Sequence, residues 1–298
     1  MIHRKTRPLG TLAVLAWAIA APVAHAEILY VANGGNTVSK VTPSGSVTTF
    51  ATGFNDPAGL AFNVSGDLFV ANQGSGVINE VTPSGKVSTF ASGFNQPLGL
   101  AFNASGDLFV VCQGTNTVSE VTPSGKVSTY ASGLTAGPAW LAINSSGDLF
   151  VSNLSGTINE VTPSGKVSTF IRGFIIPSGL GFNASSDLFV NDWAVGTVSK
   201  VTPSGSVSLV ASGFSSPSDL AFDSSGNLFV ANRSGNGVSE ITPSGSVSTF
   251  VSGLSDTRGL AFQPEISSVP APSGLLLGMV GALCLAGYGW RRQNLAIP

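Results

Sequence analysis

The stretch Val-Thr-Pro-Ser-Gly begins at Val41, Val81, Val121, Val161 and Val201, and returns with isoleucine at Ile241, a spacing of forty residues without drift. A period of that length matches one four-stranded blade of a β-propeller. Each unit reads as four short strands: "GLAFN", then "LFVAN", then "VxEV", then "KVSTFAS". The turns agree with this. In Thr82-Pro83-Ser84-Gly85-Lys86, Pro83 presets φ for the first central position of a type I turn. Gly85 then takes the left-handed conformation that closes a three-residue hairpin. Gly106 has the same part in the turn between the first two strands. No segment has the 3.6-residue apolar period of a helical repeat.

The array is offset. The repeats open at "EILYVAN", a second strand without a first, and close at "RGLAFQ", Arg258–Gln263, a first strand without a second. Joining the two completes a sixth blade and hides two strand edges that an open stack would expose. The expectation is an all-β, six-bladed propeller over residues 27–263, its ring closed by a C-terminal innermost strand.

Composition narrows the partners. Residues 27–268 carry fifteen acids and eight bases, and a negative, Lys-poor surface argues against nucleic acid. Cys112 is the single thiol of the repeat region, so no internal disulfide is expected there. Without a histidine to activate it, Cys112 reads as a small filler. Glutamates 80, 120 and 160 precede the Thr-Pro-Ser-Gly turn where Lys86, Lys126 and Lys166 follow it, which reads as cross-strand ion pairing.

The units "PxGLAFNxSGDLFVAN" and "VTPSGKVSTF" resemble NHL-type repeats and the repeats of streptogramin-lyase-like and gluconolactonase-like propellers. That resemblance is specific for fold, because propellers host hydrolases, lyases and pure binding modules alike. It implies a catalytic histidine for a lyase, yet both histidines, His3 and His25, precede the repeats. For a lactonase it implies a divalent cation held by Asp, Glu and Asn at the channel mouth. The corresponding inner-strand positions are Gly59, Gly99, Trp140, Gly179, Asp219 and Gly259, with one acid among them. No catalytic residue, metal ligand or cofactor is therefore expected. A divalent cation belongs to an alternative reading, in which Asp219, helped by Asp192 and Asn232, serves a lactonase- or lyase-like site. Against it stands a structural reading of Asp219 as an ion-pair partner of Arg258 or as part of an Asx turn. Asn33, Asn72, Asn153, Asp192 and Asn232 end the second strands in a near-ring broken by Cys112, which could hold ions or sugar but reads better as a set of loop caps. The Asn63, Asn103 and Asn183 triplets read as turn formers.

Loops after strands two and four share one face and vary between repeats, whereas the other face repeats almost unchanged. Variation within a constant frame marks a binding face. Trp140, Ile175, Ile176 and Trp193 fall in the variable set of neighbouring blades, and are expected either to hold a glycan or protein ligand or to fill a wide inter-blade gap.

Both ends read as sorting signals. Residues 1–26 have a basic start, an apolar core and an Ala24-His25-Ala26 site, a signal peptide removed before Glu27 by signal peptidase. Residues 264–272 form a linker ending in Val269-Pro270-Ala271-Pro272. Residues 273–298 carry the apolar run Leu275–Trp290 followed by Arg291 and Arg292. This tail resembles the PEP-CTERM signal of Gram-negative bacteria, with alanine where the motif usually has glutamate. The resemblance implies transient anchoring in the inner membrane, processing by an exosortase-type enzyme, and delivery to the cell envelope or extracellular matrix.

Overall fold

The computed structural model describes residues 27–264; the signal-peptide and sorting-tail expectations lie outside them. Over this span the chain is all-β, with six four-stranded antiparallel sheets arranged as the blades of a propeller. In chain order, the inner strands of blades 2 to 6 are Pro57–Phe62, Pro97–Phe102, Pro138–Ile143, Pro177–Phe182 and Pro217–Phe222. Blade 1 takes its inner strand from the far end of the repeats: Thr257–Phe262 pairs antiparallel with Leu29–Asn33. The ring closes as the offset repeats predict. Each inner strand packs against the next, and Thr257–Phe262 against Pro57–Phe62 completes the circle.

The turn chemistry is as expected. Thr82 N–H donates to Lys86 and Gly85 N–H to Thr82, with Gly85 at φ 84°. Asn63, Asn103 and Asn183 each accept two backbone N–H groups of their own turn through Oδ1. The lysine–glutamate expectation fails. Glu80 stands opposite Ser88, not Lys86, because Lys86 belongs to the turn. Glu80 instead faces Asp67, and burial, with that neighbour, raises its carboxyl above the usual range. In blade 5 the equivalent pair is Lys200 with Asp187, an ion pair at 3.5 Å.

Two register shifts recur and make the architecture work. Between the third and outer strands an extra residue is inserted, Phe90 in blade 2 and Tyr130 in blade 3. This residue meets the second-strand aromatic edge-on: Phe69 lies 4.8 Å from Phe90, and 4.9 Å from Phe102 of the next blade. Such aromatic pairs add about 0.5–1.5 kcal/mol beyond burial. The seam between blade 6 and blade 1 has the same construction, with Phe229 against Phe250 and Phe262. Closure is thus held by a core like that between any other two blades.

The second shift lies on the inner strands, which begin two residues earlier than the "GLAF" segments indicate. Ala58 and Gly59 together oppose the single residue Ala71, and a register shift sits at the equivalent place in every blade. A bulge of this kind re-aims side chains at the end of a sheet. Here it also brings the inner strands together. A Cβ on Gly99 would lie 2.7 Å from the Trp140 Cα, and one on Gly179 would lie 2.6 Å from the Asp219 Cα. Glycine at these positions is what lets neighbouring strands touch at the narrow end of the ring.

Candidate binding site at the channel mouth

The variable face is organised by one repeated backbone hydrogen bond. The residue after each second strand donates its N–H to the residue before the inner strand: Gln73 to Asp56, Gln113 to Gln96, Leu154 to Gly137, Trp193 to Ile176, Arg233 to Ser216, and Gly34 to Asp256. This produces a ring of six equivalent positions around the channel. A second ring comes from the first bulge residues: Arg258, Ala58, Leu98, Ala139, Ser178 and Ser218. Every member of both rings except Gly34 lines one cavity of about 340 Å³, together with Trp140 and Ile176.

The cavity has two unlike sides. Blades 4 and 5 supply Leu154, Trp140, Ile176 and Trp193; blades 6, 1, 2 and 3 supply Arg233, Arg258, Gln73 and Gln113. Trp193 is 40% exposed, whereas Trp140 is 9% exposed, part of the strand Pro138–Ile143, with its backbone N–H donating to Ser152 Oγ. Trp140 is therefore a wall residue of the pocket rather than a loop residue, correcting its expected place. Of the expected apolar patch, Trp140, Ile176 and Trp193 converge on the cavity. Ile175 is 59% exposed and does not line it.

Arg258 is a clamp. Its Nη1 pairs with Asp56 at 2.7 Å and donates to Gln73 at 3.3 Å, while Nη2 and Nε hold Asp256 at 2.9 and 3.0 Å. Asp256 also takes Nε of Arg233 at 2.6 Å. Burial opposes ionisation of Asp256, but the Arg233 and Arg258 bonds outweigh it and hold its carboxyl below the ordinary value.

The expected Asp219–Arg258 ion pair is not formed. Asp219 is buried, with Oδ1 accepting Leu220 N–H and Oδ2 accepting Leu260 N–H, both at 2.8 Å. Burial pushes its carboxyl up to about 7, and the two N–H bonds offset only part of that rise. Asp192 caps its loops by accepting from Ile175, Ile176 and Ala194, and Asn232 accepts from Ser215. Asn72 does the same for Asn55. Asn33 and Asn153 depart from the cap pattern: their Oδ1 atoms have no partner among the described residues. Asp219, Asp192 and Asn232 thus have their oxygens engaged by backbone N–H groups and do not present the converging free oxygens that a hard cation needs. Among the described residues no three His, Cys, Asp or Glu side chains come together. Cys112 is buried, and burial raises its thiol above the usual value.

Sequence reasoning passed over Gln73, Gln113, Leu154 and Arg233. The signal was present: with Trp193, they are the residues directly after the "LFVAN" strands, glutamine in two blades and leucine, tryptophan and arginine in the next three.

No protein-family profile matches the chain, and no curated protein matches it by sequence. Solved structures do resemble it in shape. A chain of the nidogen/laminin complex superposes with a TM-score of 0.73 at 15% identity, covering 80% of this chain and 98% of that one. A catalytically inactive virginiamycin B lyase from Staphylococcus aureus, solved with quinupristin, gives 0.62 at 15% identity over 80% and 92%. A putative gluconolactonase gives 0.62 at 19% identity over 70% and 82%. At these identities the likeness is one of fold. The structural neighbours are six-bladed propellers of the NHL, streptogramin-lyase and gluconolactonase kind.

Proposed function

We propose that this chain is an exported, non-catalytic binding propeller that acts as a recognition or scaffold module at the bacterial envelope or in extracellular matrix. The observation that carries the reading is the channel-mouth cavity. It is lined by the variable positions of all six blades, while the opposite face repeats nearly unchanged. A rigid strand frame that varies only where two rings of side chains meet a cavity is organised for recognition. Trp193 supplies a half-exposed indole suited to stacking on a sugar ring or anchoring a protein contact. No histidine follows His25, so the repeats lack the usual general base near neutral pH. The leader and the Val269–Pro272 tail motif are the support for export and for exosortase-type processing.

The test is a binding screen of the full chain against glycans, exopolysaccharide fractions and envelope proteins. The reading expects a ligand that is retained and recovered chemically unchanged. Steady conversion of the captured molecule would show an enzyme instead.

One observation favours a second reading, a lactonase- or lyase-like enzyme. Asp219 has a carboxyl near 7, the range suited to a general base. Its position weighs against this, since both oxygens are engaged by backbone N–H groups and Asp219 does not line the cavity.

A further inference from the structure

We propose that the channel-mouth pocket is built for a small amphipathic anion, with an aromatic or alicyclic body on the Trp193–Leu154 side and an oxyanion head at Arg233. This rests on the reading of that cavity as the binding site. The polar arc offers donors. The Arg258 guanidinium is already engaged by Asp56, Asp256 and Gln73. Arg233 differs: only its Nε is bonded, to Asp256, and its two Nη groups have no partner among the described residues. Its side chain is 43% exposed, so these donors are accessible. The Gln73 amide accepts from Arg258 through Oε1, and its N–H groups have no partner among the described residues.

The acids that balance these cations are not among the residues lining the cavity. Asp56 and Asp256 hold the guanidinium groups, and among the described residues no carboxylate lines the pocket. A ligand entering from solvent therefore meets N–H groups on one side and apolar side chains on the other. An oxyanion satisfies the first with strong charge-assisted bonds, and an unsaturated ring satisfies the second. A fully apolar ligand would bury the Arg233 donors unpaired, which is unfavourable.

Two dyes of one ring skeleton test this directly. The full chain is titrated with 8-anilinonaphthalene-1-sulfonate and with N-phenyl-1-naphthylamine, which lacks the sulfonate. Binding at the pocket is taken as the component lost in Trp193→Ala, with melting curves confirming that each variant folds. The expected result is tighter pocket binding of the sulfonate dye. Arg233→Met should then weaken that dye about tenfold or more and leave the neutral dye unchanged, with Arg233→Lys in between. Equal Trp193-dependent binding of both dyes, unaffected by Arg233→Met, overturns the anion assignment while leaving the cavity as the binding site. Absence of any Trp193-dependent component for either dye overturns the site reading itself.

Discussion

Asp219 Oδ2 accepts the backbone N–H of Leu260 at 2.8 Å, so a buried carboxyl of blade 6 is bonded to the strand that closes blade 1. The two residues lie on consecutive inner strands, and Leu260 in turn pairs with Val31, where the two ends of the repeats meet.

A pH dependence follows from that burial. The carboxyl of Asp219 is raised in the folded state to about 7, so between the ordinary carboxylate range and that value the folded chain holds a proton that the unfolded chain has lost. Stability from this group is fully present below about pH 4 and is lost as pH rises through 7, on the order of 4 kcal/mol at full value. Glu80 shifts in the same direction. Asp256 works oppositely, its contribution being lost only as pH falls below the ordinary carboxylate range. Thermal melts from pH 4 to 8 should show the midpoint falling through this window, and Asp219→Asn should flatten the fall. An unchanged slope in the variant would mean that Asp219 is not the titrating group.

Closure should be costly to undo. Deleting residues 257–263 removes the partner of Leu29–Asn33 and opens the aromatic seam at Phe229. The expected outcome is aggregation or loss of a cooperative melt, well beyond the ~1 kcal/mol of a typical point change. Arg258→Met keeps the strand but releases Asp56 and Asp256, and should cost roughly 2–3 kcal/mol. A deletion chain that melts like the parent would contradict the closed ring.

Divalent cations should not stabilise the folded chain. Addition of Ca²⁺, Mg²⁺ or Zn²⁺ is expected to leave the melting temperature unchanged, because the oxygens of Asp219, Asp192 and Asn232 are engaged by backbone N–H groups. A clear rise that disappears in Asp219→Ala would favour the enzyme reading.

The blade plan was legible because each strand and turn is restated six times, so one noisy repeat is corrected by the rest. What stayed hidden depends on geometry that no single repeat displays. The inner-strand bulge adds no unusual residue type, and it decides that Ala58 and Arg258 line the mouth while Gly59 and Asp219 lie beneath. Pairing Asp219 with Arg258 seemed natural from sequence because the two occupy neighbouring blades. The bulge separates them, and Arg258 turns to Asp56 and Asp256 from the loops on either side. Trp193 and Ile176 were visible as departures from the repeat. Their union with Arg233 and the glutamines was not: Gln73, Gln113, Trp193 and Arg233 keep the forty-residue spacing but meet only when the ring closes, and the frame is broken locally at Leu154. One extra residue before Pro138 is compensated by one fewer after Asn153.

Processing offers a check that is separate from the site. Mass spectrometry of the exported protein should find a chain starting at Glu27 and ending near Val269–Pro272. Finding the Leu275–Trp290 peptide still attached in surface material would indicate a retained membrane anchor.

The most direct measurement compares ligand affinity and stability in two tryptophan variants. Trp140 is nearly buried in the inner strand, so Trp140→Ala should cost about 3–5 kcal/mol of stability. Trp193 is half-exposed at the cavity, so Trp193→Ala should leave the melting temperature within a few degrees of the parent. For the ligand recovered from the binding screen, the account predicts that Trp193→Ala lowers affinity at least about tenfold, the loss of an interfacial anchor. Full affinity in a folded Trp193→Ala chain would contradict the claim that the channel mouth is where this propeller binds.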